Sequence, residues 1–380
     1  MFRKLGVALR GGRFIRRAPQ LVTCYLKNRM RSASLLLDVR RPSGRSAPPR
    51  CVTLRLSLRC NLQCKMCYYM SDAIAKHAMG QLPSLPYDTA ARAAREAVRL
   101  GAYVAITGGE PLLYDRLPDA IAEVKRNGGI CALVTNGTLL RQRAAELARA
   151  GPDLVAVSVL GPPAVHDEIT GVEGSFARAA AGIQEARARL DGNGRTALVV
   201  NTAISPANIG HLRELVDIAH DWPIDAMNVQ HLWFTTPEML RVHHMHFGSL
   251  FQPCLTESHD GRIDPGAVDE LATELASLRG AKLPFALHIF PDLPPQQIRR
   301  YYDEPAAVVG PRRATCAWLF CEVTPTGDVS PCYGYTAGSV TESSLADVWN
   351  GERFRRFRRT LAESRAFPIC ARCCALFRRD

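Results

Sequence analysis

Apolar and polar residues follow two different periods along this chain. Val52-Thr-Leu-Arg-Leu-Ser-Leu58 switches character at every residue, the period of a strand with one buried face. Similar β-branched and apolar runs occupy 103–107, 130–135, 154–159, 197–203 and 226–231. Between them lie longer stretches, such as 88–100 and 175–190, with apolar residues three or four apart, which predict helices. Six strand–helix alternations predict an α/β fold with a parallel sheet. In such a fold the ligand face lies at the carboxyl ends of the strands.

The rhythm is different at both ends of the chain and over 232–300. Residues 1–32 set Phe2, Leu5, Leu9, Phe14, Ile15, Leu21, Val22, Tyr25 and Leu26 among Arg and Lys at roughly helical intervals. This predicts one or two short basic amphipathic helices. Residues 40–50, rich in Pro, Ser and Gly, read as a linker. Residues 232–300 hold Trp233, Pro237, Cys254 and a Pro-rich stretch at 291–295, and read as a helix and loops closing the sheet, then a connector. The expected organisation is an arm and linker at 1–50, an α/β domain at 51–260, a connector at 261–305 and a small Cys-rich α+β domain at 306–380.

Composition narrows the function. Apolar content of 47% and charged content of 22% over 380 residues are those of a globular protein. No run of eighteen apolar residues is present, so no membrane-spanning helix is expected. The net charge of +12 belongs to the first fifty residues, which hold thirteen Lys or Arg and the single acid Asp38. That basic arm can solubilise the protein, meet an anionic membrane surface at about 1 kcal/mol per basic residue, or hold an acidic leader peptide. Nucleic acid is not expected, because no aromatic stacking platform accompanies the charge. Thirteen cysteines without an export signal point to a reducing, cytoplasmic setting, peripheral to the membrane if the arm engages it. There, metal explains clustered cysteines better than disulfides do.

The cysteines carry the chemistry. Cys60, Cys64 and Cys67 stand as C-x3-C-x2-C just after the first strand. Three thiolates hold three irons of a cubane and leave the fourth open, whereas electron-transfer clusters use four cysteines. The second strand runs into Gly108-Gly109-Glu110-Pro111. In order and spacing these two motifs resemble the radical S-adenosylmethionine (radical SAM) superfamily, with Met66 where an aromatic residue is usual. The resemblance implies a partial (β/α)6 barrel and a 4Fe–4S cluster on Cys60, Cys64 and Cys67 that chelates S-adenosylmethionine. An electron from that cluster then yields a 5′-deoxyadenosyl radical that abstracts hydrogen from an unactivated carbon. It implies that the backbone of Gly108 and Gly109 meets the ammonium of SAM, that Glu110 supplies a nearby anion in the same SAM-binding turn, and that Asn136, Ser158 and Asn201 supply further contacts. Leu160 stands where the family often has Asp, so one polar contact is lost. A structural zinc knuckle is the alternative for the three cysteines.

A second constellation lies near the carboxyl terminus: Cys316, Trp318, Gly327, Cys332, then Cys370-Ala-Arg-Cys373-Cys374. It resembles the SPASM and shortened "twitch" extensions of radical SAM enzymes. Too few cysteines are present for two auxiliary clusters. The resemblance therefore implies one auxiliary 4Fe–4S cluster on Cys316, Cys332, Cys370 and Cys373, with Cys321 and Cys374 as alternates; a zinc ribbon is the other reading. His231, His243, His244 and His246 are unusually dense and can bind metal or move protons, with His231 the proton-transfer candidate. Cys254 can donate a hydrogen atom to a substrate radical. Cys24, Cys51 and Cys131 read as structural.

These readings point to an oxidoreductase or transferase acting on a small molecule, such as a sugar or secondary metabolite. Flavodoxin or ferredoxin would supply electrons, and the auxiliary cluster would accept one from substrate. A maturase of ribosomal peptides is the alternative; fifty arm residues are too few for a clear winged-helix leader-binding domain, which favours the small molecule. An iron–sulfur or zinc-binding carrier is the non-enzymatic reading.

Overall fold

The computed structural model describes residues 18–67, 82–190, 195–231, 233–253 and 263–377. The amphipathic positions Phe2 to Ile15, and Cys254, lie outside them. Two helices open the described chain, α1 (Pro19–Met30) and α2 (Ser32–Arg40). Then β1 (Cys51–Arg55), α3 (Tyr87–Arg99), β2 (Tyr103–Thr107), α4 (Leu117–Arg126), β3 (Cys131–Thr135), α5 (Leu140–Ala150) and β4 (Leu154–Ser158) alternate. After α6 (Pro163–Thr170), α7 (Ser175–Leu190), β5 (Ala197–Ile204), α8 (Leu212–Ala219) and β6 (Ala226–His231) the alternation loosens into α9 (Pro237–Phe247) and α10 (Pro265–Arg279). The chain ends through β7 (Ala286–Phe290), α11 (Pro295–Asp303), β8 (Phe320–Val323), β9 (Asp328–Ser330), β10 (Gly338–Ser339), α12 (Leu345–Trp349) and α13 (Glu352–Ser364).

Among the described residues all ten strands belong to one sheet, in the order β10-β9-β8-β1-β2-β3-β4-β5-β6-β7. Strands β1 to β6 pair in parallel as the alternation predicts. Both edges differ from expectation. The segment expected as a connector contributes β7, parallel to β6 with Asn228 opposite His288. The Cys-rich region is not separate either, since β8 pairs in parallel with β1, Thr53 opposite Glu322. The β8–β9–β10 meander thus continues the barrel sheet across the expected boundary at 306.

Strand alternation assigns the two faces. Val52, Leu54, Val104, Ile106, Leu133, Val155, Val157, Leu198 and Val200 point outward into the helix layer. The alanines of α3 (Ala90, Ala93, Ala94 and Ala97) let that helix lie close to the sheet. The opposite face carries Cys51, Tyr103, Ala132, Leu154, Ala156, Ala197, Val199 and Ala226, and these pack with Ala18, Leu21 and Tyr25 of the amino-terminal segment. Helix α1 therefore fills the amino-terminal end of the barrel interior.

This differs from the reading of residues 1–50 as an arm outside the fold: from Ala18 onward they pack against it, with Ala18, Leu21, Tyr25, Leu35 and Val39 buried. The linker is held as well. The Ser46 amide donates to Asn350 Oδ1 at 3.0 Å, and Trp349 Nε1 donates to the Ala47 carbonyl at 2.8 Å. Gly44 has φ of +68°, and a Cβ there would meet the Arg355 carbonyl at 2.5 Å. Only glycine fits both the backbone angle and the contact. Fully buried Arg358 donates to the carbonyls of Gly44, Ala317 and Trp349, with its guanidinium 4.2 Å from the ring centres of Trp349 and Phe354.

Candidate active site

The Cys60–Cys67 loop leaves β1 at its carboxyl end and is fixed on three sides. On the first, the Gly109 amide donates to Ser57 O at 2.8 Å and the Glu110 amide to Arg59 O at 2.7 Å. A Cβ on Gly108 would lie 2.6 Å from Ser57 O, and one on Gly109 2.3 Å from Arg59 O. The two glycines admit the backbone of the cysteine loop itself, a structural demand that spacing alone did not reveal. On the second side, Gln63 and Lys65 amides donate to the carbonyls of Thr170 and Ile169 at the end of α6.

On the third side stands Asn136, after β3. Its Nδ2 lies 4.0 Å from Cys60 Sγ and donates to Asn61 Oδ1 at 2.9 Å, while its Oδ1 accepts from Thr138. Asn61 and Thr138 complete this network at 2.8 Å. Sequence reasoning missed both, since only the fold brings them together.

Glu110 ties the strand ends together. Its carboxylate is almost wholly buried. It accepts from Leu112 N at 2.8 Å, Thr135 Oγ1 at 2.7 Å and Asn136 N at 2.7 Å, locking the ends of β2 and β3 together. Burial pushes its pKa up and the three donors pull it back.

Ser158 and Asn201 face each other across β4 and β5, on the interior face. Asn228 of β6 donates to Asn201 Oδ1 at 2.7 Å and leaves its own Oδ1 buried without a hydrogen-bond partner. Arg55 ends β1 on the same face and forms an ion pair with Glu322 of β8. Arg55 also lies 5.9 Å from the ring centre of Tyr333, which stacks on Trp233 at 5.0 Å. The interior is therefore apolar where α1 fills it and polar toward the cysteine loops.

The carboxyl-terminal cysteines assort clearly. Burial pushes up the thiols of Cys332 and Cys370, a hydrogen bond with Cys374 and then burial push up that of Cys373, and each feels Cys316 or another member of the set. Cys374 shares a side-chain hydrogen bond with Cys373, both thiols being free. Cys321 belongs elsewhere: it lies on β8 beside Cys51 and Arg358. That removes it as an alternate ligand. The dense histidines separate too. His231 is buried on β6 with Nδ1 2.7 Å from the Tyr302 hydroxyl, and burial holds its pKa down to about 3. His243 sits among Phe247, Phe251 and Phe367, while His244 and His246 are exposed.

The donor sets fit iron–sulfur clusters. Burial pushes the Cys60 thiol up to about 11 and Cys64 to about 12, so thiolates there need a bound cation. Among the described residues no three potential ligands converge as the shell of a single ion.

This fold and its cysteine sites define a radical SAM protein: residues 54–217 match the radical SAM superfamily, and the chain belongs to it. Within the superfamily it carries a SPASM iron–sulfur cluster-binding domain at residues 316–374. The chain is 26% identical over 345 residues to the tungsten-containing aldehyde ferredoxin oxidoreductase cofactor-modifying protein of Pyrococcus furiosus, covering 84% of this chain and 86% of that one. It is 28% identical over 327 residues to PqqA peptide cyclase of Xanthomonas axonopodis pv. citri, covering 82% and 77%. In fold it is similar to Streptococcus suis SuiB bound to S-adenosylmethionine, with a TM-score of 0.60 and 18% identity over 88% of this chain and 72% of that one.

Proposed function

We propose that this protein is a radical SAM enzyme that modifies a peptide. The expectation of a small-molecule substrate rested on the shortness of the amino-terminal arm. Similarity to PqqA peptide cyclases over most of both chains weighs the other way. The observation that carries the reading is the carboxamide layer of the barrel interior. Asn201 and Asn228 are paired side by side, and Asn228 Oδ1 is a buried acceptor with no protein donor. A carboxamide both donates and accepts, as a peptide bond does, and an orphaned acceptor is satisfied by a ligand N–H.

Cys60, Cys64 and Cys67 would hold the SAM-binding cluster, and Cys316, Cys332, Cys370 and Cys373 the auxiliary one. When bound, the first cluster with SAM supplies a 5′-deoxyadenosyl radical able to abstract hydrogen from an unactivated carbon. The chain's own part is positional. Asn136 orients the Cys60 side of the loop, Glu110 locks the strand ends beneath it, and Ser158, Asn201 and Asn228 offer polar contacts. The Trp233–Tyr333 stack links the end of β6 to Cys332, so the interior runs from one cysteine site toward the other.

Anaerobic protein, SAM, reductant, a panel of short synthetic peptides and a panel of sugars and other metabolites make the test. The expected result is a peptide that has lost two hydrogens, with deuterium from labelled peptide entering 5′-deoxyadenosine. Transfer of deuterium from a sugar or other metabolite, and from none of the peptides, would overturn the peptide reading.

A further inference from the structure

Arg372 stands between Cys370 and Cys373, and its side chain is completely buried. The guanidinium donates to the carbonyls of Arg300, Tyr301, Glu304 and Ala307, and to that of its neighbour Ala371. Arg300 and Tyr301 lie in the last turn of α11 and Glu304 just follows it. There helix carbonyls lack partners and the helix dipole is negative, so a cation is well placed. The guanidinium also lies 4.6 Å from the ring centre of Tyr301, whose hydroxyl donates to the Arg372 carbonyl. Next in sequence, the Tyr302 hydroxyl meets His231 at the end of β6. One continuous set of contacts thus joins the C-x-x-C loop to α11 and α11 to the barrel.

All five hydrogen-bond acceptors of Arg372 are backbone carbonyls. Its charge is therefore fixed in direction without a bonded carboxylate to cancel it. Tyr301, which touches the guanidinium, also feels Cys373 and Cys374, so this buried charge and the end of the C-x-x-C loop share one neighbourhood. An iron–sulfur cluster becomes more negative when it accepts an electron, and its potential responds to neighbouring charge.

We propose that Arg372 is the positioning residue of the auxiliary site: it fastens the Cys370–Cys373 loop to α11 and holds a positive charge that raises the cluster's reduction potential. This rests on the cluster assignment of the preceding section. It gives Arg372 a role that the cysteine pattern alone does not.

The test uses full-length protein reconstituted without oxygen, as wild type, Arg372→Lys and Arg372→Gln, with the half-exposed Arg359→Gln as control. Iron content and redox titration followed by electron paramagnetic resonance are the readouts. Arg372→Gln should shift the auxiliary potential to more negative values and leave the barrel cluster's potential unchanged. Arg372→Lys, which keeps the charge but not the five-bonded fork, should fall between Gln and wild type. If Gln loses the auxiliary irons while SAM cleavage persists, the fastening role is supported, and the Lys variant then tests the charge. An Arg372→Gln protein with full iron and a wild-type potential overturns the proposal. Wild-type protein with only about four irons would instead sink the auxiliary cluster itself.

Discussion

Leu21→Ala is the sharpest test of how the barrel is filled. Leu21 is fully buried on α1, in contact with the interior faces of the strands. Truncating a buried leucine removes its transfer energy and leaves a cavity, at a cost of about 2–5 kcal/mol. The upper part of that range applies here, because the surrounding strands are joined by ladder hydrogen bonds and cannot collapse inward. Leu26 lies on the opposite side of the same helix and is 52% exposed. Leu26→Ala should change stability by no more than about 0.5 kcal/mol. The pair shares residue type, helix and nearly the same sequence position, so helix propensity cancels between them. Urea unfolding followed by tryptophan fluorescence gives both values. Equal midpoints for the two variants would refute the placement of α1 inside the barrel. A protein lacking residues 1–45 should likewise fail to fold, whereas a dispensable arm would leave it intact.

Further outcomes follow from the site. Cys64→Ala should abolish conversion of SAM to 5′-deoxyadenosine, and survival of that activity would detach the chemistry from the loop. Wild type should hold about eight irons per chain, Cys332→Ala about four, and Cys321→Ser the full number; iron loss in the last would return Cys321 to the ligand set. Gly109→Ala places a methyl group 2.3 Å from Arg59 O, so the loop must move, and the SAM-binding cluster should be lost from iron analysis while the auxiliary one remains. His231 has a folded pKa of about 3 against about 6.5 unfolded, so below pH 6.5 the unfolded chain binds the extra proton and stability falls with pH. Its share of that loss is about 2 kcal/mol between pH 7 and pH 5. His231→Gln should show a correspondingly flatter profile of urea midpoint against pH.

Much of the barrel is legible in the sequence because alternation and burial have the same period. The six central strands, the cysteine loop and the Gly-Gly-Glu-Pro turn all stand where the pattern puts them. Strand β7 is less legible because Ala286-Leu-His-Ile-Phe290 places His288 on the inner face, where the eye expects an apolar residue. The role of α1 is hidden for a related reason. Leu21 and Tyr25 are buried on one side while Leu26 and Met30 are exposed on the other, so basic and apolar residues do not separate by face. Glu110 shows the limit of motif reasoning: the motif marks the position, but the partners Thr135 and Asn136 come from the next strand. Cys321 shows the same for metal ligands, since spacing alone cannot tell which side of β8 it occupies.

The pairing of β8 with β1 has a consequence for synthesis. The outer edge of β1 is complete only when Phe320–Val323 arrives, about 270 residues later in the chain. At ordinary translation rates that interval is roughly 15–50 s. For that time a newly made barrel carries a bare parallel edge, the kind of surface that recruits other strands. The strand that covers it lies between Cys316 and Cys332 in the chain. Protection of the nascent sheet therefore comes late, shortly before the carboxyl-terminal cysteine site can be completed, and a ribosome stalled before residue 320 holds a chain that has neither the covering strand nor Cys332, Cys370 and Cys373.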